Sequence, residues 1–301
     1  MLWGATAAHG TAGAGGEAHA LSLRFRSAAF DGNTTLVTVS PSAAIAALDE
    51  HGYARLGRLA SDATLIALRE RADDIMLGRV QIDDLFFQHD SATGTYEDLR
   101  FGDGYQGPSL AYRKVEKLEK DPVFRAWIES PLVEPYVRAR IPGDITLYRA
   151  ALFGKAPQGG TPLPWHQDGG AFWGLSRDPD IQVWLAIDDA PEAAGCMQVL
   201  PGSHKHGLMR PMGGMVTAAA ALFADAERHA VSLPAEAGEV ILVHNYVWHR
   251  SGVNTTDKPR RGLTACYLPA ETRCLRKKHA PRVFAPMFRE PQFSDGGPRR
   301  S

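Results

Sequence analysis

The 301-residue chain is 44% hydrophobic and 22% charged, enough for one large or two modest domains around a sizeable core. A formal net charge of −1 gives no global field for nucleic acid or anionic membranes. No apolar run approaches the ~20 residues of a membrane span, the amino terminus lacks the regions of a signal peptide, and three scattered cysteines, Cys196, Cys266 and Cys274, make no disulfide framework. The expected setting is therefore the cytoplasm, and neither nucleic acid nor membrane is an expected partner.

In chain order, residues 1–33 are rich in Ala and Gly, and a disordered tail is predicted there. Residues 34–39 are β-branched and strand-like. A helical pattern starts at Ser42, and His51-Gly52-Tyr53 turns it into a short extended piece over 53–56. Ser61 is a candidate N-cap for a helix over 62–77, in which Leu65, Leu68, Ala72, Ile75 and Met76 recur at helical spacing and which Gly78 closes. Residues 89–109 mix Gly, Asp, Tyr and Ser without a period, which predicts a long, functional or mobile loop. The run 113–120 is charged, and a solvated face is its default reading. Asp121-Pro122 then caps a helix that buries Val123, Phe124, Trp127 and Ile128 and ends at Pro131.

Beyond residue 140 the texture becomes short β-rich runs, at 145–153, 162–166, 181–188, 197–200, 240–243 and 262–268, with one helical insertion over 215–229. Such runs predict a mainly β protein with flanking helices: a double-stranded β-helix, or jelly-roll barrel, supported by N-terminal helices. The expected domain spans 34–270, and a basic C-terminal extension over 271–301 covers an edge.

Trp165-His166-Gln167-Asp168 carries the chemistry. Side chains two apart on a strand leave the same face, so His166 and Asp168 can converge on one metal ion. A third ligand is needed, and the run 243–252 offers His244 and His249. Two histidines and a carboxylate form the facial triad of non-haem Fe(II) oxygenases, which leaves three positions open. His249 is preferred because Ser251 follows it and Arg260 lies eleven residues on, at the start of the next strand. A dicarboxylate co-substrate needs such a forked donor and a hydroxyl. Alternation allows only one of Arg260 and Arg261 to point inward. His204, His206 and His244 read as structural.

Three further motifs, in order, complete a pattern: Gln182-Val183-Trp184-Leu185-Ala186-Ile187-Asp188, Gly195-Cys196-Met197-Gln198-Val199-Leu200-Pro201-Gly202-Ser203-His204, and His249-Arg250-Ser251-Gly252-Val253-Asn254 followed by Arg260. From about His51 to about Pro269 the chain resembles the phytanoyl-CoA dioxygenase family of Fe(II)- and 2-oxoglutarate-dependent oxygenases. The resemblance implies His166, Asp168 and His249 as iron ligands, with 2-oxoglutarate held by Arg260, Ser251, Trp184 and Lys114. It also implies O2 as oxidant and hydroxylation of an unactivated C–H in a small organic substrate, with release of succinate and CO2. Relatives that halogenate lack the carboxylate ligand, and Asp168 is present here. Phe172, Trp173 and the 89–109 loop, through Phe101 and Tyr105, are candidate substrate lining. The competing reading is a non-catalytic or non-redox metal-binding jelly roll.

Overall fold

A computed structural model describes residues 39–179, 181–276 and 282–290. The predicted tail over 1–33 and nearly all of the strand over 34–39 lie outside the described residues.

The N-terminal part runs α1 (Pro41–His51), β1 (Tyr53–Arg58), α2 (Asp62–Met76), β2 (Phe86–His89), β3 (Tyr112–Glu116), α3 (Pro122–Ile128) and α4 (Glu134–Arg138). Local chemistry sets these boundaries. The Ser40 and Ser61 hydroxyls accept from the backbone N–H of Ala43 and Thr64, and Asp121 accepts from Val123 and Phe124. Residues 90–110 form the expected irregular loop.

The remainder is β4 (Ile145–Lys155), β5 (Leu163–Gln167), β6 (Gln182–Ala186), β7 (Met197–Leu200), β8 (Gly214–Met215), α5 (Ala218–Phe223), α6 (Ala226–His229), β9 (Val231–Leu233), β10 (Glu239–Val243), β11 (Trp248–Ser251), β12 (Arg260–Pro269) and β13 (Ala285–Phe288). The single helical insertion expected over 215–229 is two short helices, split where Asp225 adopts a left-handed conformation, φ 47°. No helix among the described residues is long and apolar enough to cross a membrane.

All pairings between these strands are antiparallel. The larger sheet runs β1-β10-β6-β12-β4-β3-β2, with β13 also on β4; the smaller runs β8-β5-β11-β7-β9. This is the jelly roll the sequence predicts.

Strand alternation divides the larger sheet between two environments. Val183, Leu185, Leu263, Ala265 and Tyr267 face the helices, sharing one core with Leu48, Leu65, Leu68, Phe124 and Ile128. Gln182, Trp184, Arg260 and Thr264 leave the other face and line the space toward the smaller sheet. Alternation breaks at bulges in β1, β4 and β3, and the one in β3 bears on the cavity. Gln88 pairs with Lys114 but His89 pairs with Tyr112, so Arg113 is an extra residue, a β-bulge. Tyr112 and Val115 both keep to the helical core, while Arg113 and Lys114 in succession face the inter-sheet space. The charged run 113–120 is thus not simply a solvated face.

Candidate active site

β5 and β11 are neighbours in the smaller sheet, with His166 directly opposite His249. Cross-strand partners share a face, and the two rings lie 3.9 Å apart between centroids. Asp168 follows the end of β5, where its N–H donates to the Asn245 carbonyl at 2.9 Å, so it stays in phase with His166. The three side chains present ligand atoms all within 4.8 Å of one another.

The surroundings prepare these atoms for a metal. Nδ1 of His166 lies 2.9 Å from the Pro164 carbonyl, and Nδ1 of His249 lies 2.9 Å from the Val247 carbonyl. A carbonyl only accepts, so each Nδ1 carries a proton and Nε2 is the ring nitrogen turned to the site. Burial, reinforced by the adjacent His249, pushes His166 well below the usual histidine range, so it stays neutral. Burial alone would raise the Asp168 carboxyl, but Arg149 first, then the two histidines, hold it below the usual carboxylate range. Gln182 Nε2 donates to Asp168 Oδ2 at 2.7 Å, and Arg149 Nη2 lies 3.7 Å from Oδ1. A carboxylate held anionic and two imidazoles presenting Nε2 suit a divalent transition metal such as Fe(II).

His244 is elsewhere. Its Nδ1 accepts from the Tyr246 N–H at 3.0 Å, and its ring packs 4.8 Å from that of His204, whose Nε2 faces the Asp49 carbonyl at 3.0 Å. Both are structural histidines tying the 244–247 turn to α1.

The triad opens into a cavity of about 280 Å³ between the sheets. The smaller sheet contributes the triad, Ser251 and Met215; the larger contributes Trp184, Lys114, Arg149, Lys155 and Arg260. Arg260 is 4% exposed, and its Nε has no hydrogen-bond partner among the described residues. Its guanidinium sits 5.5 Å from the Trp184 ring, and burial lowers its pKa to about 10. An unpaired buried cation costs several kcal/mol, which a dicarboxylate ligand would offset. Arg261 leaves the opposite face, where it pairs with Asp188 and, through α2, with Asp73, both at 2.6 Å.

Sequence reasoning missed several cavity residues. Lys155 lies directly across the ladder from Arg260. Burial, then the charges of Arg260 and Arg113, lower it to about 7. Arg149 reaches both Asp168 and Glu116, and Lys114 pairs with the same Glu116. Of the expected substrate residues, Phe172 lines the mouth at 68% exposed, and Trp173 is a buried wall under Arg149, 4.7 Å from its ring. Phe101 lines the cavity, joined by Tyr96. Tyr105 does not line it: its ring is taken up behind β3 by Phe87 and Tyr112, at 5.2 and 5.7 Å.

Gly262 is required by Trp184. A Cβ there would stand 2.5 Å from the indole Nε1, so the indole lies flat on bare backbone. Gly262→Ala should cost about 1–3 kcal/mol through overpacking and displace the indole. Chemical denaturation and tryptophan fluorescence read both effects; an unchanged midpoint would show that the ring moves freely.

A family model described as phytanoyl-CoA dioxygenase (PhyH) matches residues 48–262. The chain is 29% identical over 157 residues to phytanoyl-CoA dioxygenase domain-containing protein 1 of Mus musculus, covering 50% of this chain and 54% of that protein, so it spans about half that relative's length. It is 26% identical over 257 residues to phytanoyl-CoA dioxygenase 1 of Oryza sativa subsp. japonica, covering 74% and 87%. Among solved structures, the fold resembles the non-heme alpha ketoglutarate dependent carbocyclase SnoK from nogalamycin biosynthesis, with TM-score 0.63, 20% identity and coverage of 83% and 99%. It also resembles the apoform of EctD from S. alaskensis, with TM-score 0.63, 20% identity and coverage of 84% and 86%. With more than half of the chain matched by the family model and three side chains converging that could hold a metal ion, this protein belongs to the phytanoyl-CoA dioxygenase family of Fe(II)- and 2-oxoglutarate-dependent oxygenases.

Proposed function

We propose that the protein hydroxylates a C–H bond of a small organic substrate, placing one oxygen atom of O2 in the product while 2-oxoglutarate becomes succinate and CO2. The observation that carries this reading is a buried Arg260, whose guanidinium has no ion-pair partner among the described residues and whose Nε has no hydrogen bond there, in the same cavity as the triad. A metal-binding jelly roll without turnover needs no dicarboxylate anchor.

His166, Asp168 and His249 would hold Fe(II), which with chelated 2-oxoglutarate supplies the activation of O2. Arg260 and Lys155, opposite each other across the β4/β12 ladder, receive the distal carboxylate, with the Ser251 hydroxyl beside them. Trp184 forms the wall on which the co-substrate chain lies. Lys114 adds positive charge from β3, moderated by Glu116. Phe172 at the mouth and the buried Trp173 offer apolar walls for the substrate. With Fe(II) bound, Asp168 would supply the carboxylate ligand whose place a halide would need, so oxygen transfer is favoured over halogenation.

The test is a titration of the anaerobic Fe(II) protein with 2-oxoglutarate, which should develop a visible charge-transfer band; its absence would sink the reading. The same titration carries a pH signature. Free Lys155 loses its proton above about 7, and a carboxylate beside it restores the ammonium form. Binding above that pH therefore takes up a proton. Affinity should be greatest below pH 7 and fall by up to about tenfold per pH unit above it, until the raised pKa of the complex is reached. Affinity constant from pH 6 to 9 would remove Lys155 from the anchor.

A further inference from the structure

The cavity holds more positive charge than the metal centre and co-substrate use. Six cations line it: Arg113, Lys114, Arg149, Lys155, Arg250 and Arg260, of which Arg250 is paired with Glu227. Lys114 and Arg149 are answered by Glu116 and Asp168. Arg260 and Lys155 stand opposite each other and share one carboxylate in the reading above. Arg113 is left over.

Arg113 is 8% exposed, and its one hydrogen bond among the described residues is to a neutral acceptor, Gln88 Oε1, at 2.8 Å. Burial lowers its pKa, and Asp90 is close enough to oppose that effect. Asp90 Oδ1 accepts from the N–H and hydroxyl of Thr161, at 2.8 and 2.7 Å, so Asp90 acts on Arg113 as a nearby charge and not as its hydrogen-bond partner. Gln88 is fixed in turn, its Nε2 donating to the Arg100 carbonyl at 3.1 Å. Arg113 is thus a pre-oriented cation held by a neutral clamp, and the bulge in β3 turns it into the cavity beside Lys114. Tyr96, on the 90–110 loop, lines the same region within electrostatic reach of both Arg113 and Asp168. Its hydroxyl adds a donor to the same cavity.

Resting on the hydroxylase reading, we infer that Arg113, clamped by Gln88 and assisted by Tyr96, binds a carboxylate on the organic substrate. The substrate class is an organic monocarboxylate with an apolar body. Its charged end meets Arg113, and its chain lies against Phe101, Phe172 and Trp173 toward the triad. A neutral amide or thioester at that end would leave the guanidinium unanswered, so the site selects the free acid.

The experiment is calorimetry on the Fe(II) protein, loaded with 2-oxoglutarate under nitrogen, titrated with straight-chain monocarboxylates of four to ten carbons and their primary amides. The 2-oxoglutarate charge-transfer band, recorded first, tests the hydroxylase reading on its own. At least one carboxylate should bind tenfold or more tightly than its amide. Arg113→Gln should erase that preference, Arg113→Lys should keep part of it, and at pH 6, where Lys155 already carries its proton, both should leave 2-oxoglutarate affinity within about twofold. With the band intact, absence of binding by any carboxylate, or equal binding of acid and amide, overturns the inference. So does a loss of 2-oxoglutarate affinity in Arg113→Gln, which would place Arg113 on the co-substrate.

Discussion

His249→Ala should abolish tight Fe(II) binding and all 2-oxoglutarate turnover, whereas His244→Ala should leave metal affinity within a few-fold. Without His249 the site keeps only His166 and Asp168, a two-donor set that cannot define a facial arrangement. The loss should exceed the roughly 10–100-fold that removal of a merely supporting residue costs. It should leave the fold in place, because the imidazole's remaining bond is to the Val247 carbonyl, two residues away. His244 acts in the opposite sense. Its removal takes the acceptor from the Tyr246 N–H and a ring contact from His204. About 1–3 kcal/mol of stability should go with them. Calorimetric Fe(II) titration and thermal melts separate the two variants. Full iron binding in His249→Ala would mean that the third ligand lies elsewhere.

Arg260→Ala should raise the requirement for 2-oxoglutarate by far more than that for the organic substrate. Removing one partner of a buried charge pair costs roughly 2–5 kcal/mol, or about thirtyfold to several thousandfold in affinity. Arg261→Ala should show the reverse pattern. It breaks the ties from β12 to Asp188 and to Asp73 of α2. Asp73 is partly exposed, so the stability cost should fall at or below the lower end of the ~3–5 kcal/mol expected of a fully buried pair. Its 2-oxoglutarate affinity should change little. Separate KM values for the two substrates, together with melting curves, decide the matter; reversed behaviour would put the wrong arginine in the cavity.

These two contrasts also show how far the sequence reaches. Local rules were sufficient where the relevant partners are close along the chain. His166 and Asp168 share a face because they are two apart, and the same alternation lets only one of Arg260 and Arg261 turn inward; that it is Arg260 came from the resemblance, and Arg260 lines the cavity while Arg261 pairs with Asp188. Ser61 and Asp121 announce their helices as caps do. What escaped depends on register between distant strands. Nothing near Lys155 says that Arg260, more than a hundred residues on, will stand opposite it. Arg149 and Gln182 converge on Asp168 only after β4 and β6 take their places in the larger sheet. The run 113–120 reads as solvated because charge predicts exposure on average. Here Lys114 is matched within the fold by Glu116, which also serves Arg149. Tyr105 was misplaced because an irregular loop carries no period to say which of its aromatics turns inward.

The extra residue in β3 has an evolutionary consequence. Tyr112 and Val115 both face the helical core, with two cavity residues between them instead of one. Removing either Arg113 or Lys114 would restore plain alternation while leaving both outer anchors on their original face. A one-codon deletion could therefore take one positive charge out of the cavity, and a one-codon insertion put it back, without repacking the core. Among descendants of such a fold, preference for charged or neutral substrates can change through the length of one strand, where a comparison of substitutions alone would not look for it.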